Sequence, residues 1–171
     1  MAEYLLRRRF EAAGIDARVT SAGLLRAGLP AQPHGVDVGR ALGLDMSAHR
    51  SRSMTRDVLA EADLIVGMAR EHVREAVVLD PSLWPRTFTL KELVRRGEAV
   101  GPCAPGEPLA DWLARAGQGR RVSDLAGSSP TDDVEDPIGM PVPAYERMAR
   151  ELDDLTRRLV AVAFAGALTS R

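Results

Sequence analysis

The chain has one cysteine and one lysine among 171 residues, and only 4% of its side chains are aromatic. With Cys103 alone, no internal disulfide can form and no cysteine-based zinc cluster either. No apolar run approaches the roughly 20 residues that a membrane-spanning helix needs. The first residues, Met1-Ala2-Glu3-Tyr4-Leu5-Leu6-Arg7-Arg8-Arg9, hold no apolar signal core preceded by basic residues. These absences predict a cytoplasmic chain with no membrane partner. A basic excess is missing too: 23 Lys and Arg face 24 Asp and Glu, a formal net charge of −1. That argues against a nucleic-acid partner, and the run Arg7-Arg8-Arg9 reads as a solvated helix face. There is no phosphate-cradling Gly-x-x-x-x-Gly-Lys, no Gly-x-Gly-x-x-Gly and no Gly-x-Ser-x-Gly. No His-x-x-x-His or Glu-x-x-His spacing links His34, His49 and His72, so neither a metal nor a cofactor is expected.

What is present is ordinary globular composition, 45% hydrophobic and 27% charged, in a length that suits a single domain over residues 1–171. Residues 2–14 read as a helix stopped by Gly14. Residues 18–22 are β-branched and run into Gly23, which predicts a strand and a turn. Residues 24–33 read as loop and 36–42 as a short helix, and Thr55 is placed to cap another through Glu61. The continuous apolar run at 62–68 predicts a strand buried on both faces, as in a parallel sheet. A helix over 69–79 follows, with Val73, Val77 and Val78 as its core face. Residues 86–90 suggest a third strand, 91–96 a helical turn or two stopped by Gly97, 98–108 a loop, and 109–116 an amphipathic helix. Residues 117–130 read as loop. A long helix over 143–167 closes the chain, with Tyr145, Met148, Leu152, Leu155, Leu159 and Val162 as its stripe. Strand alternating with helix predicts an α/β fold with a parallel sheet and crossover helices.

Few residues offer chemistry. Cys103 lies between Pro102 and Pro105 with no helix start behind it to acidify its thiol, and reads as a passive loop cysteine. His34 and His72 read as incidental, the first in a loop and the second on a helix surface. His49 stands out for its neighbours Arg50 and Arg52. Asp136 is the best single candidate. The proline after it fixes an extended turn that can hold a carboxyl over a cleft. Asp133 and Glu135 nearby would push its pKa upward, the direction a general acid needs. An acidic turn that merely precedes the last helix is the other reading of the same residues.

Taken in order, several segments resemble the low-molecular-weight protein tyrosine phosphatase family. Met1-Ala2-Glu3-Tyr4-Leu5 resembles the helix that directly follows the family's phosphate-binding loop. Thr20-Ser21-Ala22-Gly23 resembles its second strand and Ser-Ala-Gly turn. Leu42 to Asp45 with Ser47 to Arg52 resembles its Gly-Ile-x-x-x-x-His-x-x-Arg segment. Ala62 to Met68 resembles its third strand, and Val134-Glu135-Asp136-Pro137 its Asp-Pro loop. The resemblance implies a three-layer α/β fold, a parallel sheet with helices on both faces. It implies metal-free hydrolysis of phosphate monoesters through a cysteinyl-phosphate, on a phosphorylated protein or a small aryl phosphate. Asp136 then corresponds to the general acid, and Ser21 and His49 to the pair that braces the phosphate-binding loop from behind.

The departure from the family is equally plain. Its Cys-x5-Arg-Ser loop and the central strand carrying it precede the position of Met1 in the family, and the 171 residues contain neither. Cys103 has no Arg-Ser at the required spacing. The chain as written therefore has no nucleophile and is expected to be inactive, with a gap or an unfamiliar edge pairing between strands 18–22 and 63–67. Two readings follow: an active enzyme whose start is set too late, which is favoured, or a non-catalytic phosphatase-like interaction module. The cleft also lacks the family's aromatic walls, since Ile138 and Gly139 follow the Asp-Pro pair and residues 24–33 hold no aromatic.

Overall fold

The computed structural model describes residues 1–169. In chain order its main elements are α1 (Ala2–Ala13), α2 (Pro33–Ala41), α3 (Arg56–Ala60), β1 (Ile65–Gly67), α4 (Arg70–Leu79), β2 (Thr87–Thr89), α5 (Leu90–Val100), α6 (Leu109–Ala116), α7 (Val142–Ala163) and α8 (Ala165–Thr169). They pack as two compact units. The first combines Met1–Ser53 with Glu135–Arg157, and the second combines Met54–Val134 with the chain from Arg158 onward.

In the first unit, α1 buries Leu5 and Phe10 and ends at Gly14. Gly14 has φ 61, so its amide can reach back to the carbonyls of Phe10 and Glu11. The helix α2 begins three residues earlier than its pattern predicts, because Pro33 is preorganised for a first helical position that needs no donor. Val38, Tyr145 and Ala149 form a small core with Met1, Leu42 and Met148 around it. Gly35 lies against the Tyr145 ring, 3.8 Å from where a Cβ would stand. Arg9 clamps α1 to α7, donating to the Asp153 carboxylate at 2.6 Å and to its carbonyl at 2.8 Å.

Residues 18–22 form no strand, contrary to their β-branched pattern. A strand exists only where a neighbour takes its amides and carbonyls. Here the nearest ladder is a single parallel bridge, Gly23 to Ser53. The Val19 carbonyl accepts instead from Arg7 Nε at 2.8 Å.

In the second unit, β1 and β2 run parallel with Val66 opposite Phe88, and form a two-stranded sheet. Phe88, Leu93, Val94, Trp112 and Leu159 are buried beside them. The helix α4 buries Val73 and Ala76, whereas Val78, read as core, is 72% exposed. At 100° per residue, Val78 lies about 140° around the helix from Val73. His72 is not a surface bystander, because its Nδ1 accepts the Ala69 amide at 3.1 Å and caps α4. The helix α5 continues to Val100, past the predicted stop, and ends at Gly101 with φ 86. The predicted caps and α6 lie where expected: Thr55 Oγ1 accepts from Val58, and α6 covers 109–116. The final helix breaks after Ala163 before a last turn.

Candidate active site at the start of the first helix

Two of the three predicted site residues meet on one turn of helix. Glu3, its side chain 9% exposed, receives Arg7 Nη2 at 2.5 Å on one carboxylate oxygen and the Ser21 hydroxyl on the other. This is the i, i+4 spacing at which a helical Glu and Arg face each other. Arg7 also donates to the Val19 carbonyl, so residues 19–21 are fastened to α1 at two points. The next residue, Tyr4, meets the His49 ring edge-on, centroids 5.9 Å apart and planes at 66°. Ser21 and His49 come from loops 28 positions apart and converge on Glu3 and Tyr4. Both lie in the first turn of α1, where amides point outward and favour an anion.

The two loops are also stitched to each other. Arg52 donates to the Ser21 carbonyl at 3.2 Å, and the Arg52 carbonyl accepts from Gly23 at 2.9 Å. Ser51 then pins the loop that leaves Ser21. Its hydroxyl donates to the Arg26 carbonyl at 2.8 Å and accepts from Leu29 N at 3.0 Å. Its backbone bonds Leu29 and Gly28, each at 2.8 Å. Burial pushes the Met1 ammonium pKa below its ordinary value, with the Glu3 charge acting in the opposite direction.

Asp136 sits in the same unit, exposed on the turn before α7. One oxygen, Oδ1, accepts from the Ile138 amide at 3.1 Å, which folds the carboxyl over its own turn. The other oxygen has no hydrogen bond among the described residues. Asp136 makes no hydrogen bond with Ser21 or His49. The neighbouring carboxylates are committed elsewhere. Glu135 faces Arg147 at 3.9 Å. Asp133 accepts the amides of Arg70 and Ser129 at 2.8 and 2.7 Å. Neither is the bare charge that their proximity in sequence suggests.

Cys103 is buried, with its thiol against the Glu107 carbonyl at 3.5 Å. Burial and the Glu107 carboxylate push its pKa up, the wrong direction for a nucleophile. Among the described residues no cluster of His, Cys, Asp or Glu could hold a metal ion.

The profile of one family, "Low molecular weight phosphotyrosine protein phosphatase", matches residues 1–99, more than half of the chain. The chain belongs to this family. A probable low molecular weight protein-tyrosine-phosphatase, EpsP, of Ralstonia solanacearum is 35% identical over 93 residues. That alignment covers 54% of this chain and 62% of the relative's length. The solved low molecular weight protein tyrosine phosphatase from T. tengcongensis is 30% identical, with a TM-score of 0.68, covering 93% of this chain and 86% of that one. A solved arginine phosphatase, YwlE, whose mutant active-site serine is phosphorylated, is 25% identical with a TM-score of 0.67, covering 92% and 82%.

The fold is therefore the family's three-layer α/β fold, its parallel sheet represented here by β1 and β2. Membership makes the convergence on Glu3 and Tyr4 informative. Glu3, Arg7 and Ser51 carry much of the geometry and none stood out in the sequence. Only the i, i+4 spacing of Glu3 and Arg7 was available to flag them. Among the described residues no helix is long and apolar enough to cross a membrane.

Proposed function

We propose that Ser21, His49 and Asp136 serve phosphate-monoester hydrolysis of the protein tyrosine phosphatase type. The substrate is a phosphorylated protein or a small aryl phosphate, and no metal takes part. The observation that carries the reading is the meeting of Ser21 and His49 on the first turn of α1. In the family that turn directly follows the phosphate-binding loop, so residues fastened there act as its rear support. Asp136 is the general acid: Oδ1 is held by Ile138 N and Oδ2 is left to carry the proton.

The chemistry needs a thiolate that the 171 residues do not supply. The thiolate attacks phosphorus and forms an S–P bond as the ester P–O bond breaks. The proton on Asp136 passes to the leaving oxygen. Water then cleaves the S–P bond, with the Asp136 carboxylate taking its proton, and inorganic phosphate leaves. The amides at the start of α1 stabilise the dianion throughout.

The 171-residue chain should show no turnover of an aryl phosphate above buffer. A chain carrying a strand and a Cys-x5-Arg-Ser loop ahead of Met1 should turn it over. In that active chain Asp136→Asn should lower kcat by roughly 100-fold or more, most for poor leaving groups. Unchanged rates would remove Asp136 from the role. Turnover by the chain without the loop would overturn the account of the nucleophile. An inert fused chain that still captured phosphopeptides would instead support a phosphatase-like binding module. Phosphotyrosine and phosphoarginine peptides belong in the substrate panel, because both classes occur among the relatives.

A further inference from the structure

The two loops that meet at the helix start carry charge of one sign. From 17 to 36 and from 46 to 53 there is no Asp or Glu, and the arginines are 18, 26, 50 and 52. The whole chain is nearly neutral, so this is a local excess. Arg50 donates only to the carbonyls of Ser47 and His49, and Arg52 only to that of Ser21. Such bonds orient a guanidinium and leave its charge uncompensated. The Arg26 side chain has no hydrogen-bond or ion-pair partner among the described residues, and Arg26, Arg50 and Arg52 are all exposed. Between these arginines the loop presents Leu24, Leu25 and Leu29 to solvent, 44%, 68% and 48% exposed. Ser51 holds this lip in one shape through its bonds to residues 26, 28 and 29.

We propose that the lip formed by residues 24–30 and 50–52 is a docking surface for an acidic peptide segment. Its carboxylates meet Arg26, Arg50 and Arg52, and its aliphatic side chains cover the exposed leucines. The lip begins three residues after Ser21 and is pinned by Ser51, two residues after His49. Resting on the reading of that centre as a phosphatase site, the segment that docks is the sequence flanking the phosphorylated residue. Uncompensated charge at the rim speeds encounter and selects partners, while the leucines supply contact area. Preformed geometry spares the loop the entropy of ordering on binding.

Binding by the 171-residue chain tests this independently of turnover. The probe is a fluorescein-labelled, unphosphorylated peptide with Asp and Glu flanking Leu, compared with its Asn and Gln counterpart by anisotropy. The acidic peptide should bind, the neutral one at least about 10-fold more weakly, and the difference should shrink as salt rises above about 0.3 M. Arg26→Gln with Arg50→Gln should weaken the acidic peptide by about 10-fold. Arg121→Gln, the same change at an exposed site outside the lip, should not. Equal binding of both peptides, or equal loss with Arg121→Gln, would overturn the proposal. So would tighter binding of phosphatidylserine vesicles or a DNA duplex through the same arginines. A loop-restored chain that hydrolyses an aryl phosphate but has no acidic-peptide preference loses the proposal and keeps the phosphatase reading.

Discussion

Arg120 keeps a full charge with only 2% of its side chain exposed. Its guanidinium is stacked between the rings of Trp84 and Phe88, each 3.8 Å from centroid to carbon. In its plane it donates to both Glu92 oxygens, at 2.8 and 3.2 Å, and to the carbonyls of Thr87 and Trp84. Burial pushes its pKa down, and the Glu92 carboxylate pushes it back up. A planar, five-donor group suits this slot and an ammonium does not. Arg120→Lys should therefore cost about 2 kcal/mol and Arg120→Ala about 3–4 kcal/mol, since alanine also leaves part of Glu92 unpaired in the interior. Urea unfolding at neutral pH measures both. A lysine variant as stable as the parent would show that the stacking contributes little.

At the level of elements, α5 and α6 approach so closely that only glycine fits between them. A Cβ on Gly97 would stand 2.8 Å from Trp112 Cζ2, 2.9 Å from Cη2 and 3.0 Å from Val162 Cγ2. The ring cannot step aside freely, because Trp112 Nε1 donates to the Gly101 carbonyl at 2.9 Å. Gly97→Ala gains roughly 0.8–1 kcal/mol of helix propensity, against an overpacking cost of about 1–3 kcal/mol. The clash should win, so the expected result is a lower Tm, read together with a changed Trp fluorescence. A raised Tm would mean that the helices separate at little cost. This contact was invisible in the sequence, where Gly97 read as a helix stop. Elements fixed by local chemistry were legible: α1 by Gly14, α3 by Thr55, and α6 by its apolar spacing. Residues 18–22 were misread because strand formation depends on a partner that no local pattern reports. The site followed the same division. Ser21 and His49 become candidates only through a family resemblance, and Asp136 through its Asp-Pro turn. Glu3 and Ser51, which connect elements far apart in sequence, carried no signal of that role.

Across the whole molecule, 22 arginines carry nearly all positive charge, and ion pairs joining distant segments make stability depend on pH. Asp132 is the clearest case. It is 8% exposed and joins the segment before the Asp-Pro turn to two helices, receiving Arg70 from α4 and Arg95 from α5, each at 2.7 Å. Burial alone would raise its pKa, but the hydrogen bonds from Arg70 and Arg95 outweigh it and hold the carboxyl below 3.8. A carboxyl depressed in the folded chain contributes stability above its unfolded pKa and loses it as pH falls through the folded value. Asp132→Asn should therefore cost about 2 kcal/mol at pH 7, because the carboxylate that receives three guanidinium hydrogen bonds is replaced by an amide with one acceptor oxygen and no charge for Arg70 and Arg95 to pair with. As pH falls below the ordinary Asp value of about 4 the difference should begin to narrow, and it closes only when the depressed carboxyl of the folded chain takes up its own proton. Urea midpoints at pH 7, 5 and 3 follow the difference. A gap as wide at pH 3 as at pH 7 would mean that shape or neutral hydrogen bonding, and not charge, makes Asp132 matter.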